Sequence, residues 1–451
     1  MKNIVLNTDS YKVSMYLQYP PNTQTVYSYI ESRGGDYSKI VYFGLQAFIK
    51  KYLTVPVTNE MVDEGKAMWE AHGMPFNESG WRYIVDQHNG KLPLKIRTIP
   101  EGTRVAPGVP LLTIENTDPE CFWLTTWIET ALLRAIWYPT TVATVSNSIR
   151  RFIQSALILT GDPEGLPFKL HDFGPRGASS EESAAIGGAA HLLSFAGTDN
   201  MSAIMHIKEF YDDPMAGFSI PAAEHSTITS WGRYNEADAY ENMIDQFREF
   251  PLYAVVSDSY DIYNAVKNVW GEKLREKVIK NGNMLVVRPD SGDPLTVISK
   301  IIEILGEKFG YDVNEKGYKV LKNVRIIQGD GVNPESIREI VNYLIDNKWS
   351  IDNIAFGMGG ALLQKLDRDT LKFALKCSAI EINGAWFDVK KDPITDSGKA
   401  SKGGRVTAVE KNGEIVSGLI DSPDDIMYTV YKNGDLVVED FFEEMKTRAN
   451  A

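Results

Sequence analysis

Cysteine is nearly absent: the 451 residues contain only Cys121 and Cys377. Two cysteines build no disulfide framework and match no metal-binding spacing, so a reducing, cytoplasmic setting is expected. Long apolar runs are missing as well. None approaches membrane-spanning length, and the opening MKNIVLNTDSYK holds no apolar signal segment. Basic charge is in deficit, with 47 Lys and Arg against 60 Asp and Glu and a net charge of −13. That balance argues against general binding to nucleic acid or an anionic membrane and leaves room only for a local basic patch. There is no low-complexity tract and no internal repeat.

What is present is a substantial apolar fraction, 43%, enough for a large core or for two to three ordinary domains. Three parts differ in rhythm. Residues 1–150 are mixed: 94–115 is β-like with Pro-Glu-Gly and Pro-Gly turns, and CFWLTTWIETALLRAIW (121–137) is helical. Residues 375–451 return to strands and Gly-rich turns, as in EKNGEIVSGL (410–419).

Between them, residues 151–374 alternate short apolar runs with helical patterns. The runs end as KLHDFG, LLSFAGTD, FSIPAAEHS, YAVVSDSYD, MLVVRPDSG, VRIIQGDG and IAFGMGG, seven strand-to-loop junctions between residues 169 and 360. Tyr240, Met243, Ile244 and Phe247 share a helical face, as do Ile337, Ile340, Val341 and Leu344. Asp293 and Asn333 precede prolines as expected helix N-caps. Repeated strand–helix units predict a parallel sheet, and seven polar-ended junctions predict an α/β fold with an irregular (β/α) barrel. A doubly wound open sheet is the alternative.

In a barrel these loops face one pocket. Their pooled chemistry is Phe173, Arg176, Asp199, His225, Asp258, Asp261, Arg288, Asp290 and Asp330, with Gly329, Gly331, Gly359 and Gly360. Glycine turns and helix starts suit phosphate, carboxylates suit ribose hydroxyls, and an aromatic suits a planar ring. Each residue also has a structural reading. Arg288 and Asp290 form a local ion pair, Asp330 is a turn residue, Phe173 is a core aromatic, and His225 opens a helix. Asp199 caps the next helix, and KKDPITDSGKASKGGR (390–405) is a solvated loop. His191 in GGAAHLLSF reads as structural. The motifs GxxxxGK(S/T), HExxH and GxSxG are missing. So is the paired-acid, Thr-Gly loop of Rossmann-like phosphoribosyltransferases. No lysine sits at the seven junctions, which argues against a Schiff-base lyase or isomerase. A non-catalytic binding protein on an enzyme scaffold is disfavoured by the complete loop set.

The stretches NTDSYKVSMYLQYPPNTQTVYSYIESR (7–33), HDFGPRGASSEES, GTDN, PAAEHSTITSWG, VVSDSYDIYNAV, RPDSGDPL, QGDGVN and IAFGMGGALLQKLDRD occur in this order. Together they resemble the nicotinamide phosphoribosyltransferases of the type II phosphoribosyltransferase family, from about residue 7 to near 430. The resemblance implies a barrel with a flanking α+β domain built from both chain ends (1–150 and 375–451). It implies a homodimer with shared sites and the synthesis of nicotinamide mononucleotide and pyrophosphate from nicotinamide and phosphoribosyl pyrophosphate. Nicotinate phosphoribosyltransferase is the near alternative. It further implies Mg2+, with ligands unassigned, and ATP as phosphoryl donor to His225.

By the same resemblance, Phe173 and the partner subunit's Tyr11 stack on the pyridine ring. Arg288 and Asp199 meet its amide. Asp261, Asp290, Gly329 and Asp330 lie along the ribose, Ser257 is a further substrate-binding residue, and Gly359 and Gly360 hold the 5′-phosphate near Arg176. Arg33, Arg368, Lys376, Lys391 and Lys399 surround the pyrophosphate from the partner. The chain departs from the family pattern at Pro175, Met358 and Ala374, where animal members carry an aromatic, a small residue and a serine.

Overall fold

A computed structural model describes residues 3–395 and 400–451. The chain forms two compact units: 1–144 with 207–213 and 367–451, and 145–206 with 214–366. The sequence reading placed the divisions at 150/151 and 374/375.

The second unit is built on a six-stranded, all-parallel sheet. Its strands are Leu170–Asp172, Gly197–Thr198, Leu252–Val256, Met284–Arg288, Val324–Gln328 and Ile354–Met358. Neighbours in the sheet are neighbours in sequence, and the last strand pairs with the first. The sheet therefore curls back on itself. The gap between Gly197–Thr198 and Leu252–Val256 is bridged by 218–222, through single parallel bridges Gly197–Phe218 and Ala222–Ala254. That segment is the seventh junction expected from FSIPAAEHS. Pro221 has no N–H to donate, so only a broken ladder forms there. The doubly wound open sheet is excluded by this sequential, returning order.

The helices follow their signals. Asn333 caps Pro334–Asp346 through a capping box with Ser336, and Ile337, Ile340, Val341 and Leu344 are buried on its inner face. Asp293 caps Pro294–Phe309 by accepting from Thr296 N. Phe247 lies one residue beyond the helix Glu236–Gln246.

The first unit carries a seven-stranded antiparallel sheet drawn from both chain ends. Its order is Ala385–Asp388, Phe373–Ile382, Thr23–Ser32, Leu112–Asn116, Leu94–Thr98, Tyr428–Lys432 and Asp435–Leu436. Val406–Lys411 and Glu414–Leu419 form a separate hairpin. The helix expected over 121–137 instead runs Leu124–Thr160, through Pro139. A proline here leaves the Ala135 carbonyl without its helical donor. Gly44, at φ +116°, packs against that carbonyl and the Pro139 ring, where a Cβ would lie 2.4 Å from the Ala135 oxygen. Thr140, Thr141 and Thr144 donate to Phe43, Trp137 and Thr140 carbonyls at 2.6–3.1 Å. These contacts hold the interrupted turn in place.

His191 is structural, as read from sequence. It is fully buried, with Nδ1 3.0 Å from Ser146 Oγ and Nε2 3.3 Å from the Gly197 carbonyl. Burial holds its pKa down to about 3 against an ordinary value of 6.5. The folded state thus resists a proton that the unfolded chain takes up below pH 6.5. The stabilisation is complete above that pH and is lost as pH falls toward 3. Between pH 7 and pH 5 the loss is about 2 kcal/mol. Denaturant midpoints of the wild type should therefore fall more steeply over that range than those of His191→Gln, which keeps hydrogen-bonding groups but does not titrate. Parallel curves would show that His191 is not the titrating group.

Candidate active site

Alternation along the parallel strands sends every second side chain into the lumen. At the N-terminal end these are Lys169, His171 and Arg325; in the middle, Ala254, Val286, Ile327 and Ala355; toward the C-terminal end, Phe173 and Arg288. All line one cavity of about 350 Å³, with Asp199, Phe218, Ser219 and Ile220 at its rim. Barrel lumens are ordinarily filled by bulky side chains. Here Ala254 and Ala355 leave the space open, and Gly357 makes room for the Phe173 ring against the wall.

Phe173 owes its place to Gly357. Its N–H donates to the Met358 carbonyl at 3.1 Å, and its ring lies where a Gly357 Cβ would be, 2.0 Å from Phe173 Cε2. The ring also approaches Gly329. Phe173 therefore packs partly on the lumen wall, with Ala254, Val286 and Ile327, while lining the cavity.

Asp172 ties the loops after the first two strands. It is fully buried, and its carboxyl accepts from Gly174 N at 2.7 Å and Asn200 Nδ2 at 2.9 Å. Burial pushes its pKa up to about 6. Asp199 N donates to the Asp172 carbonyl at 3.0 Å, and the Asp199 carboxylate accepts from Ser219 Oγ at 2.5 Å. At the other end of the lumen, Lys169 Nζ donates to the Ile351, Asp352 and Ile354 carbonyls at 2.8–3.2 Å, and burial lowers its pKa to about 8.

A second group is centred on Asp258. Its Oδ1 lies 3.0 Å from His225 Nε2, and its Oδ2 accepts from Asp290 N at 3.0 Å and from Ser291 Oγ. His225 Nδ1 lies 3.9 Å from Asp290 Oδ2, and Arg288 Nε lies 3.8 Å from Asp290 Oδ1. Burial holds the Asp290 carboxyl above the usual range, with Arg288 opposing and Asp258 and Asp330 adding. Arg288 Nε is buried without a hydrogen-bond partner. His225 opens the short helix His225–Thr229, and its side chain remains 45% exposed.

The remaining loop residues divide. Asp261 caps Ile262–Asn264 by accepting from Tyr263 N and Asn264 N at 3.0 Å. Gly331, at φ +66°, turns the chain beside Asp330, and Gln328 Nε2 braces the Asp330 carbonyl at 2.6 Å. Nothing lies within 4 Å of the Cβ position of Gly360, Gly359 is close to the Phe173 carbonyl, and Gly177 faces Gly360 across the same opening. Arg176, on the turn Pro175–Gly177, is exposed. Ser257 departs from the expected substrate contact. It is fully buried, donating to the Val255 carbonyl at 2.9 Å and accepting from Trp270 Nε1 at 3.1 Å, so its hydroxyl is committed within the fold.

In the first unit, Arg33, Arg368, Lys376 and Lys391 form a cationic group. Burial lowers the Lys376 pKa, and the charges of Arg33, Lys391 and Arg368 add to that. Among the described residues Arg33 Nε and Nη2 are buried without hydrogen-bond partners, with Glu31 Oε1 3.6 Å from Nε. Crowded cations with unmet donors suit a polyanion. Lys399 lies outside the described residues. Tyr11 is 59% exposed. His88, Asp118 and Cys121 bring ligand-type atoms within 4.8 Å of one another. Asp118 already accepts from His88, Tyr83 and Glu120 N at 2.8–3.1 Å, a self-contained hydrogen-bond cluster.

The residues that sequence reasoning missed are Gly357, Lys169, His171, Asp172 and Ser219. Gly357 was visible in IAFGMGG as a glycine inside a strand, a sign of close approach. Lys169 was visible as a lysine opening an apolar run.

Residues 168–434 match the model of the nicotinate phosphoribosyltransferase (NAPRTase) family, and residues 3–96 match the nicotinamide phosphoribosyltransferase N-terminal domain. This chain belongs to the nicotinate phosphoribosyltransferase family. Within reach of the family, the chain is 53% identical to a nicotinamide phosphoribosyltransferase of Xanthomonas campestris pv. campestris, covering 100% of this chain and 99% of that one. It is 31% identical to a nicotinamide phosphoribosyltransferase of Acinetobacter baylyi, covering 98% and 95%. The fold is shared with nicotinate-nucleotide pyrophosphorylase from Pyrococcus furiosus, at a TM-score of 0.63, 18% identity, and coverage of 99% and 95%.

Proposed function

We propose that the chain is a nicotinamide phosphoribosyltransferase, joining nicotinamide to the phosphoribosyl group of phosphoribosyl pyrophosphate for NAD salvage. One observation carries this reading: Phe173, Arg288 and Asp199 line the same apolar cavity. An aromatic face suits a flat ring. A cation and an anion together suit an amide, which offers an acceptor and a donor. Nicotinate offers two acceptors and a negative charge, so the nicotinate phosphoribosyltransferase alternative sets Asp199 against its substrate. The match of residues 3–96 to the nicotinamide phosphoribosyltransferase N-terminal domain and the 53% identity to a relative of that name support the choice.

The reaction needs positioning more than proton transfer. The pyridine nitrogen carries no proton; its lone pair forms the bond to ribose C1 as the C1–O bond to pyrophosphate breaks. Positive charge develops on the ribose and negative charge on the leaving group. Stacking on an aromatic is worth roughly 1–3 kcal/mol, a large share for so small a substrate. In this reading Asp261, Asp290, Gly329 and Asp330 hold the ribose, and Gly359, Gly360 and Arg176 hold its 5′-phosphate.

Mg2+ fits the oxygen-rich rim. Asp290 and Asp330 are close enough for their charges to interact, and they are the carboxylates that would hold it. Held there, Mg2+ would supply charge neutralisation for the departing pyrophosphate. A second copy supplies Tyr11 as the other stacking face, with Arg33, Arg368, Lys376, Lys391 and Lys399 around the pyrophosphate. The setting is cytoplasmic; both cysteines are free, and no helix among the described residues is long and apolar enough to cross a membrane.

His225 is the proposed acceptor of the ATP γ-phosphoryl group. With Nε2 held by Asp258, Nδ1 is the nucleophile. The Nδ1–P bond forms, the bond to the bridging oxygen breaks, and ADP leaves. The phosphoryl group then helps order the pyrophosphate.

The deciding assay offers nicotinamide and nicotinate separately with phosphoribosyl pyrophosphate and Mg2+, and follows both mononucleotides. Like charges at about 4 Å and an effective dielectric of about 20 cost roughly 4 kcal/mol. Arg288 offsets part of this, so a preference for nicotinamide of about two decades in kcat/KM is expected. Asp199→Ser removes the charge and leaves the helix cap in place, since Asn200 rather than Asp199 accepts from Ala203 N at the start of Met201–Phe210, and it should narrow that ratio. A ratio unchanged in a stable variant would place discrimination elsewhere.

Coupling to ATP is tested in His225→Ala, which should lose ATP stimulation and ATP hydrolysis; stimulation that survives would exclude the phosphohistidine. Shared sites are tested by mixing inactive Tyr11→Ala and Asp290→Ala chains. Mixed dimers should regain part of the activity, and verified subunit exchange without recovery would rule out composite sites.

A further inference from the structure

We infer that Ser219 is a positioning residue for substrate choice, holding the Asp199 carboxylate in the orientation that accepts the nicotinamide amide. This rests on the functional reading above. Asp199 is placed by its backbone, through its N–H to the Asp172 carbonyl, but its side chain is exposed. The bond from Ser219 Oγ to Asp199 Oδ1, at 2.5 Å, restricts that side chain. It occupies Oδ1 and leaves lone pairs on Oδ2 for a substrate N–H. Asp199, Phe218 and Ser219 line both the lumen cavity and a neighbouring one of about 360 Å³, so without this bond the carboxylate has open space on either side.

The bond also acts on the competitor. A serine hydroxyl has one proton. Once it is committed to Asp199, Ser219 presents only lone pairs, and a nicotinate carboxylate finds no donor there. The irregular seventh segment creates this pairing. Because 218–222 bridges to Gly197, Ser219 stands beside the residue that follows Thr198. The competing account is structural: Ser219 merely pins 218–222 to the ring.

The test measures kcat/KM for nicotinamide and nicotinate in the full-length wild type, Ser219→Ala, Ser219→Thr, Asp199→Ser and the double variant S219A/D199S. Wild-type preference is scored first; a wild type without preference for nicotinamide overturns the functional reading and this inference with it. Given that preference, S219A should narrow the ratio about threefold to tenfold, the range for one hydrogen bond acting through a charged partner. S219T, which retains the hydroxyl, should keep the wild-type ratio. In the D199S background, S219A should change the ratio by less than about twofold, because the carboxylate it positions is gone. An S219A ratio within about twofold of wild type overturns the inference while leaving the functional reading intact. So does equal narrowing in both backgrounds, or equal loss in S219A and S219T. A purely structural role lowers both kcat/KM values together and leaves the ratio where it was.

Discussion

The site depends on a constraint of volume. A small barrel fills its lumen unless the inward positions are small, and here Ala254, Ala355 and Gly357 occupy three of them. The opening that Ala254 and Ala355 leave is the apolar cavity. The same missing side chain at Gly357 lets the Phe173 ring lie on the strand beside it. A methyl group at 357 would meet that ring at 2.0 Å and displace it. Stacking face and cavity are therefore two results of one packing choice.

Charge is then distributed around that apolar space. Arg288 and Asp199 give the rim both signs, Asp258 braces His225 and the loop at Asp290, and Lys169 is tied to three carbonyls at the opposite end. In the first unit, burial lowers the Lys376 pKa, and the nearby charges of Arg33, Lys391 and Arg368 lower it further. A chain with a net charge of −13 nevertheless gathers positive charge locally, as binding of a polyanion requires.

Much of this was legible in sequence because parallel strands announce their ends. Each apolar run stops at small or charged residues, and seven such stops predicted both the ring and the loops that gather its chemistry. Asp293 and Asn333 marked helix starts because capping is local, confined to four residues. The Leu124–Thr160 helix was cut short at 137 because the compensation for Pro139 comes from Gly44, far away in sequence. The burial of Ser257 was not legible for a related reason: its partner Trp270 lies thirteen residues further along the chain. The Ser219–Asp199 bond depends on which strands become neighbours, and no local pattern records that. Individual roles at the loops came from family resemblance, since the residue types alone fit turns and ion pairs equally well.

The 218–222 segment has a consequence for robustness. It joins the ring through the pairs Phe218 with Ala196 and Thr198, and Ala254 with Pro221 and Ala223, whereas its neighbours share fuller ladders. Local opening free energy follows such support. The seam is thus among the less supported parts of the ring. On the inference that Ser219 orients Asp199, substrate choice rests on this lightly paired segment, and local loosening there would cost selectivity before it cost the fold.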